Sequence, residues 1–313
     1  LNQIRVAPDE RPLGQRALDM VKSTWTRSRE EGRYAVIDDY DPILTLEKSA
    51  SPDGQRLDAS SSAFTAAHMT RELPTVMARN VGVPLGNGEF AGGVPMMRGG
   101  AITINPDSQP LLAVFNPSKE AGVSEGWQLW MAVNRGKRLM AEGRENLITP
   151  ELIAKHKNDH LLPENRGPNG ENLFLETQRA WNKHNGQVLD FGEQGHVVNK
   201  EARALYDKGD YIPFLRQIGE EGDVLGPGRG GSSIANVTSS IKRLTGGKEK
   251  TQNFFESIYQ VEEAIISRAM KNDAARRTRD LGVQMGIMER ASLAEQMAAK
   301  GRKNNNIVSV MEN

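Results

Sequence analysis

Two histidines have the residue type and the spacing for metal chemistry. His156 and His160 stand four residues apart, with Asp159 between them. On a helix this spacing places both imidazoles on one face, as in many zinc sites. No third ligand is evident, and Asp159 is one methylene shorter than the glutamate of metallopeptidases, which misplaces it as a general base. We therefore interpret the histidines as a pair on a helix surface and predict neither a metal nor a cofactor.

Glu256 is the candidate for acid catalysis. It precedes Ser257 in an apolar segment, and Gly282-Val283-Gln284-Met285 follows later in the chain. These residues are faintly similar to the Glu-Ser and Gly-Leu-Met-Gln signature of lytic transglycosylases. A general-acid glutamate needs an apolar, desolvated pocket that raises its pKa. Because no aromatic–asparagine motif follows, Glu256 is interpreted as a solvent-facing acid, and cleavage of peptidoglycan stays an alternative function.

Groups that bind phosphate are sparse. The run Gly246-Gly247-Lys248-Glu249 lacks the first glycine of a phosphate-binding loop, and it has Glu249 where that loop has serine or threonine. Arg276, Arg277 and Arg279 form a basic end to a long predicted helix, a placement that the helix dipole favours without any ligand. Nucleic-acid binding through these three arginines is the second alternative function.

Composition excludes several classes of protein. The chain of 313 residues has no cysteine, which rules out disulfide scaffolds and thiolate metal sites. No apolar run approaches the ~18 residues of a transmembrane helix. The 40 basic and 40 acidic side chains cancel, which removes any bulk electrostatic argument for nucleic-acid binding. Leu1 begins neither a signal peptide nor a chain with an initiator methionine, and we interpret the chain as a piece or mature product of something longer.

Signals for helix starts and stops dominate the sequence. Thr149-Pro150-Glu151 is a clear start, with a hydroxyl cap, a proline in the first turn and an acid at the positive end of the dipole. Pro74 is predicted to kink or split its helix. Helices are predicted over about 13–31, from 41, 60–80, 110–115, 124–143, from 150 to before 163, 172–191, 199–207, 233–244 and 250–281.

The segment 81–106 departs from this helical pattern. Glycine and proline are dense in it, which disfavours a long helix, and Ala101–Ile104 is predicted as a short strand or hairpin arm. The predicted fold is mainly α, an irregular multi-helix bundle with a Gly/Pro-rich excursion and at most a short hairpin. Its predicted parts are an N-terminal helical segment (1–80), a Gly/Pro-rich irregular connection (81–122), a C-terminal helical domain (123–300) and a mobile tail (301–313).

Aromatic residues at helical positions are predicted to be core anchors. A proline-containing run, Tyr211-Ile212-Pro213-Phe214-Leu215-Arg216, is predicted to be extended and to lock one helical layer on another. Arg216 would then bond helix-end carbonyls or a carboxylate, with a binding role for Tyr211 and Arg216 as the alternative. The predicted structural and interaction residues are Trp127, Trp130, Tyr211, Pro213, Phe214 and Arg216.

Several of these pieces also occur in order in a known family. The landmarks are the Trp25 helix followed by Asp39-Tyr40-Asp41-Pro42-Ile43, the run from Trp127 to Arg138, the block Asp210 to Arg216, and Leu244-Thr245-Gly246-Gly247 before a long helix that includes Asn272 to Arg276. In this order the chain resembles the helical, non-catalytic regions of large polyvalent proteins encoded by tailed bacteriophages. Relatives of these regions occur among internal virion, DNA-ejection proteins.

The resemblance implies a structural and interaction module of a large phage-derived protein. The implied site is the virion interior, with possible delivery into the bacterial host. The implied partners are other segments of the parent polypeptide, and other virion core proteins or further copies of the chain. Contact with phage DNA is left open. No catalytic residue carries over from the family, so no enzymatic activity is predicted. A protein that unfolds and refolds during ejection would consist of partly separable helical units that unfold with low cooperativity.

Overall fold

A computed structural model describes residues 2–6, 40–51, 57–143, 148–213, 254–290 and 307–310. These residues are mainly helical, as the sequence predicts. The helices are α1 (Asp41–Ala50), α2 (Ala63–Met69), α3 (Leu73–Val81), α4 (Leu111–Glu120), α5 (Ser124–Ala141), α6 (Pro150–His156), α7 (Leu173–Gln194), α8 (Lys200–Tyr206) and α9 (Phe254–Gln284). The strands are β1 (Asn2–Val6), β2 (Val83–Pro84), β3 (Phe90–Ala91), β4 (Pro95–Arg98), β5 (Ala101–Ile104), β6 (Met288–Arg290) and β7 (Ile307–Val310).

Side-chain caps begin four of the helices. The Thr149 hydroxyl accepts a hydrogen bond from the Leu152 amide at the start of α6, as predicted. Ser62, Asn172 and Asn199 accept equivalent bonds at the starts of α2, α7 and α8. Each such cap is worth about 1 kcal/mol of helix stability.

Proline divides the predicted helix 60–80. Helix α2 ends at Met69, a 3-10 turn covers Thr70–Glu72, and α3 begins with Pro74 in its first turn. The first turn tolerates proline because its amides have no partner within the helix. The split predicted at Pro74 is therefore confirmed. The predicted helices 13–31 and 233–244, Trp25, and the residues Phe214 and Arg216 lie outside the described residues.

The Gly/Pro-rich segment forms two small antiparallel hairpins. Strand β4 pairs with β5 from Pro95–Ile104 to Arg98–Ala101, which confirms the strand predicted at 101–104. Strand β2 pairs with β3 just before it. Gly92 follows β3 with a φ of 126°, and a Cβ there would lie 2.1 Å from the Arg79 carbonyl oxygen. Only glycine permits this approach of the hairpin to the end of α3.

A third sheet joins residues that are far apart in the sequence. Its order is β6–β1–β7, with both neighbours antiparallel to β1. The described residues thus contain a second hairpin and a three-stranded sheet besides the one short hairpin that the sequence predicts, and β7 lies within the predicted tail 301–313. Three- to five-residue strands with distant partners have no local turn to signal them.

The hydrophobic core crosses the predicted segment boundaries at residues 80 and 122. One cluster packs Met77 of α3 and Val94 against α7 and α9. A second, aromatic cluster packs Phe115 of α4 against Trp127 of α5, Trp181 of α7 and Phe254 of α9. The described parts of the three segments therefore share their cores. Within the described ranges, no helix has both the length and the apolar character to cross a membrane.

Small residues allow α9 to pack closely on its neighbours. Ala274 lies fully buried against Ala66 and Ala67 of α2. At the end of α7, a Cβ on Gly195 would lie 2.4 Å from the Cβ of Ala269. Helix α9 thus contacts four other described helices, α1, α2, α3 and α7.

Candidate functional site

The candidate site is the segment 209–213, which follows α8 and lies between α5 and α7. Tyr211, Ile212 and Pro213 are buried, and Ile212 belongs to the aromatic cluster. Their backbone lies outside helices and strands, so its carbonyls need partners from elsewhere. The indole nitrogen of Trp181 in α7 donates to the Tyr211 carbonyl at 2.8 Å, and the Arg135 guanidinium of α5 donates to the Ile212 carbonyl.

An ion pair fixes the start of this segment. The Nε of Arg138 in α5 lies 2.7 and 2.9 Å from the two carboxylate oxygens of Asp210. Arg138 also lies 3.0 Å from the Glu142 carboxylate, and the Lys208 ammonium lies 3.4 Å from that Glu142 carboxylate. Burial lowers the pKa of Arg138, but the hydrogen bonds that its guanidinium donates to Asp210 and Glu142 outweigh that effect and raise the pKa. The guanidinium stays charged and bonded to its own chain.

Helix α7 holds the other side of the segment. The side-chain amide of Gln178 donates to the Gly209 carbonyl at 2.7 Å, and that of Asn182 donates to the same oxygen at 3.2 Å. With the Trp181 bond, one face of α7 supplies donors to two carbonyls of the segment. The segment 209–213 therefore joins α5 to α7 through polar side chains of both helices.

Tyr211 is enclosed by aromatic and basic groups. Its ring packs edge-on against Tyr206 at 5.0 Å, and the Arg135 guanidinium carbon lies 5.7 Å from its centroid. Burial is the main cause that raises the pKa of the Tyr211 phenol, and Tyr206 adds to it. The phenol therefore stays protonated. The Tyr211 ring thus lies between α8 and α5, and its locking role stays a prediction, because the predicted partners Phe214 and Arg216 lie outside the described residues.

The two tryptophans of α5 tie that helix to its surroundings. Both are buried, and Trp127 donates from its indole nitrogen to the Phe174 carbonyl at 3.1 Å. Trp130 donates to the Lys157 carbonyl at 3.3 Å and packs on the Phe174 ring. Each indole thus combines an apolar body in the core with one satisfied polar group.

The histidine pair does not share a helix face, which corrects the prediction. Helix α6 ends at His156, and His160 lies in a separate 3-10 turn. The Nδ1 atom of His156 lies 2.7 Å from Asp159, while the His160 ring packs against Trp130 at 5.2 Å. Asn172 donates to the His160 carbonyl and stabilises that turn. Within the described ranges, no group of three or more histidines and acids could hold a metal ion.

Two of the three arginines predicted as a basic helix end, Arg277 and Arg279, form ion pairs with acids of the same helix. Arg277 pairs with Asp273 at 2.8 Å and donates to the Ala59 carbonyl at 2.6 Å, ahead of α2. Arg279 pairs with Asp280 at 2.7 Å. The Nε atom of Arg276 is buried without a hydrogen-bond partner. The dipole interpretation of these arginines weakens, because α9 continues to Gln284 and the dipole acts mainly on the last turn.

Glu256 belongs to α9, and its side chain lies outside the described part of the structure. Its neighbour Ser257 is fully buried, as is most of Phe254. The interpretation of Glu256 as a solvent-facing acid stays a prediction.

A buried polar cluster was missed in the sequence. His184 of α7 lies with its Nε2 atom 3.0 Å from Glu262 of α9, and its Nδ1 atom lies 2.9 Å from the Gln109 carbonyl. The side-chain amide of Asn80 in α3 donates to the other Glu262 oxygen at 2.6 Å. Burial lowers the pKa of His184, but the charge and hydrogen bond of Glu262 outweigh it and raise the pKa.

This cluster is closed to solvent. His184 is 1 % exposed, Glu262 is 3 % exposed and Asn80 is fully buried. A group that catalyses a reaction must reach its substrate within hydrogen-bond distance. The arrangement is instead suited to tying α3, α7 and α9 together. Comparison of this chain with protein-family models, with curated proteins and with solved structures finds no match.

Proposed function

We propose that this chain is a structural and interaction module of a large phage-derived protein, an internal virion or DNA-ejection component without enzymatic activity. One observation carries the proposal. The block Asp210 to Arg216 of the phage resemblance is described as far as Pro213, and in this part the Asp210 carboxylate is bonded to α5 and the Tyr211 carbonyl to α7. A block with that arrangement fastens helices together.

Mass spectrometry of purified phage particles tests this proposal. Particles of the phage or prophage that encodes the chain are treated with nuclease and protease, so that only the interior is protected. The proposal predicts peptides of this chain in intact particles and their depletion after DNA release. Absence of the chain from protected particles, when other interior proteins are detected, would overturn the proposal.

Two activity assays separate the proposal from its alternatives. On a peptidoglycan zymogram, the chain and its Glu256→Gln variant should be equally inactive. Clearing by the parent protein that the variant lacks would establish the transglycosylase alternative. In a gel-shift titration at low salt, we expect no shift at micromolar protein, because Arg277 and Arg279 pair with Asp273 and Asp280.

A further inference from the structure

The donors and acceptors around His184, Glu262 and Asn80 determine where the protons of this buried cluster lie. The Nδ1 atom of His184 faces the Gln109 carbonyl, which can only accept. Its Nε2 atom faces Glu262, whose other oxygen receives a bond from Asn80. Both ring nitrogens therefore donate when Glu262 is ionised, and only the imidazolium has two donors. Transfer of the Nε2 proton to Glu262 would leave the number of protons and the net charge of the cluster unchanged.

The cluster is neutral only while it holds this proton. The groups that face the His184 ring are Glu262 from α9, the Gln109 carbonyl ahead of α4 and the stacked Trp181 ring from α7 itself, and Asn80 of α3 faces Glu262. Among the described residues, Glu262 is the one charged side chain that acts on the ring. Loss of the proton leaves a buried carboxylate without a counter-charge, which is strongly unfavourable in the interior.

We propose that the His184–Glu262 pair is a protonation-controlled lock that holds α9 against α7 and α3, and that loss of the shared proton releases α9. The lock is independent of which larger protein carries the chain. Because α9 also packs on α1 and α2, its release would loosen contacts across much of the described fold.

The direction of the effect follows from linkage. The folded pKa of His184 is raised above its unfolded value. The lock therefore stabilises the fold fully below the ordinary histidine pKa of about 6.5, and this stability is lost as pH rises through the folded pKa. Each pKa unit of the shift corresponds to about a tenfold change in the folded population.

Nuclear magnetic resonance of protein labelled with nitrogen-15 at histidine tests the lock in the whole chain. The chain has five histidines, so their ring signals can be assigned by substitution. We expect His184 to stay doubly protonated above the pH at which exposed histidines have lost their proton. We also expect hydrogen-exchange protection in α9 to fall as His184 titrates. A singly protonated His184 at neutral pH, or a titration that leaves α9 protection unchanged, would overturn the proposal.

A neutral variant provides the second test. Glu262→Gln can donate to a neutral His184 and accept from Asn80, so every hydrogen bond is kept while the buried charge is removed. The lock predicts that α9 of this variant keeps its protection factors at alkaline pH. In the parent protein they should fall about tenfold for each unit by which the fold raises the pKa of His184. Glu176→Gln, at an exposed position of α7, serves as control and should behave like the parent. An equal alkaline loss of α9 protection in the parent and in Glu262→Gln would contradict the lock. If Glu262→Gln does not fold, the resonance titration of His184 alone decides between the outcomes.

Discussion

The indole nitrogen of Trp181 donates to the buried Tyr211 carbonyl, and a variant without this nitrogen measures what the hydrogen bond contributes to stability. Trp181→Phe would leave the Tyr211 carbonyl without its donor. We expect the free energy of unfolding to fall by about 1–3 kcal/mol, because a buried acceptor loses its partner, and the lost packing adds in the same direction. Urea denaturation followed by circular dichroism measures the change. Tyr259→Phe, at an exposed aromatic residue of α9, should change stability by about 0.5 kcal/mol or less.

Individual residues were only partly predictable from the sequence. The burial of Trp127, Trp130 and Tyr211 follows from their type and spacing. Their polar partners do not, because Arg138 and Asp210 stand 72 residues apart and nothing local relates them. His184 and Glu262 are separated by 78 residues and look like ordinary polar positions of two helices. Such pairs become visible only when the helices are packed.

Helix α7 contains two glycines for which the structure predicts opposite effects. A Cβ on Gly192 would lie 2.5 Å from Val198 and 2.9 Å from Ile265, whereas a Cβ on Gly186 would have no atom closer than 3.7 Å. Gly192→Ala should therefore destabilise the protein by about 1–3 kcal/mol through overpacking. Gly186→Ala should be neutral or stabilise it by up to about 1 kcal/mol, because glycine is a poor helix former. Guanidinium denaturation of both variants measures the difference, and equal effects would contradict the packing of α7 on α9.

At the scale of elements, local signals predicted where helices begin better than where chain segments pair. The cap at Thr149 and the break at Pro74 are properties of a few adjacent residues, and the structure confirms both. Helix α6 was predicted to end before Pro163, and it ends at His156, because a 3-10 turn held by Asn165 and Asn172 replaces its continuation. Neighbouring elements, rather than local sequence, determine such features.

The pairing of β1 with β7 can be tested with an engineered disulfide. The protein has no cysteine, so a single introduced pair reports without competition. Gln3 and Ser309 are paired in register, and paired Cα atoms of antiparallel strands lie within the range that a disulfide spans. Gln3→Cys with Ser309→Cys should cross-link under mild oxidation, as detected by gel mobility. Gln3→Cys with Val308→Cys should not, because adjacent residues of a strand point to opposite faces. Equal cross-linking of both pairs would contradict the register.

The shared cores change the expected unfolding of the whole molecule. Separable helical units would unfold in several steps, but Met77, Val94 and Ile266 belong to one cluster, and Phe115, Trp127 and Phe254 belong to another. Packing across the predicted boundaries couples these segments, so we expect tryptophan fluorescence and far-ultraviolet circular dichroism to report coincident transitions. Transitions that differ between the two probes would favour separable units instead.

The central claim is that side chains with the chemistry for binding or catalysis hold this molecule's helices together. A double-mutant cycle on Arg138→Gln and Asp210→Asn tests that claim most directly, since this pair joins α5 to the segment 209–213. Both side chains are partly exposed, so we expect a coupling free energy of about 1 kcal/mol, with each single variant destabilising the fold. Single variants with unchanged stability and a coupling below about 0.3 kcal/mol would contradict the account.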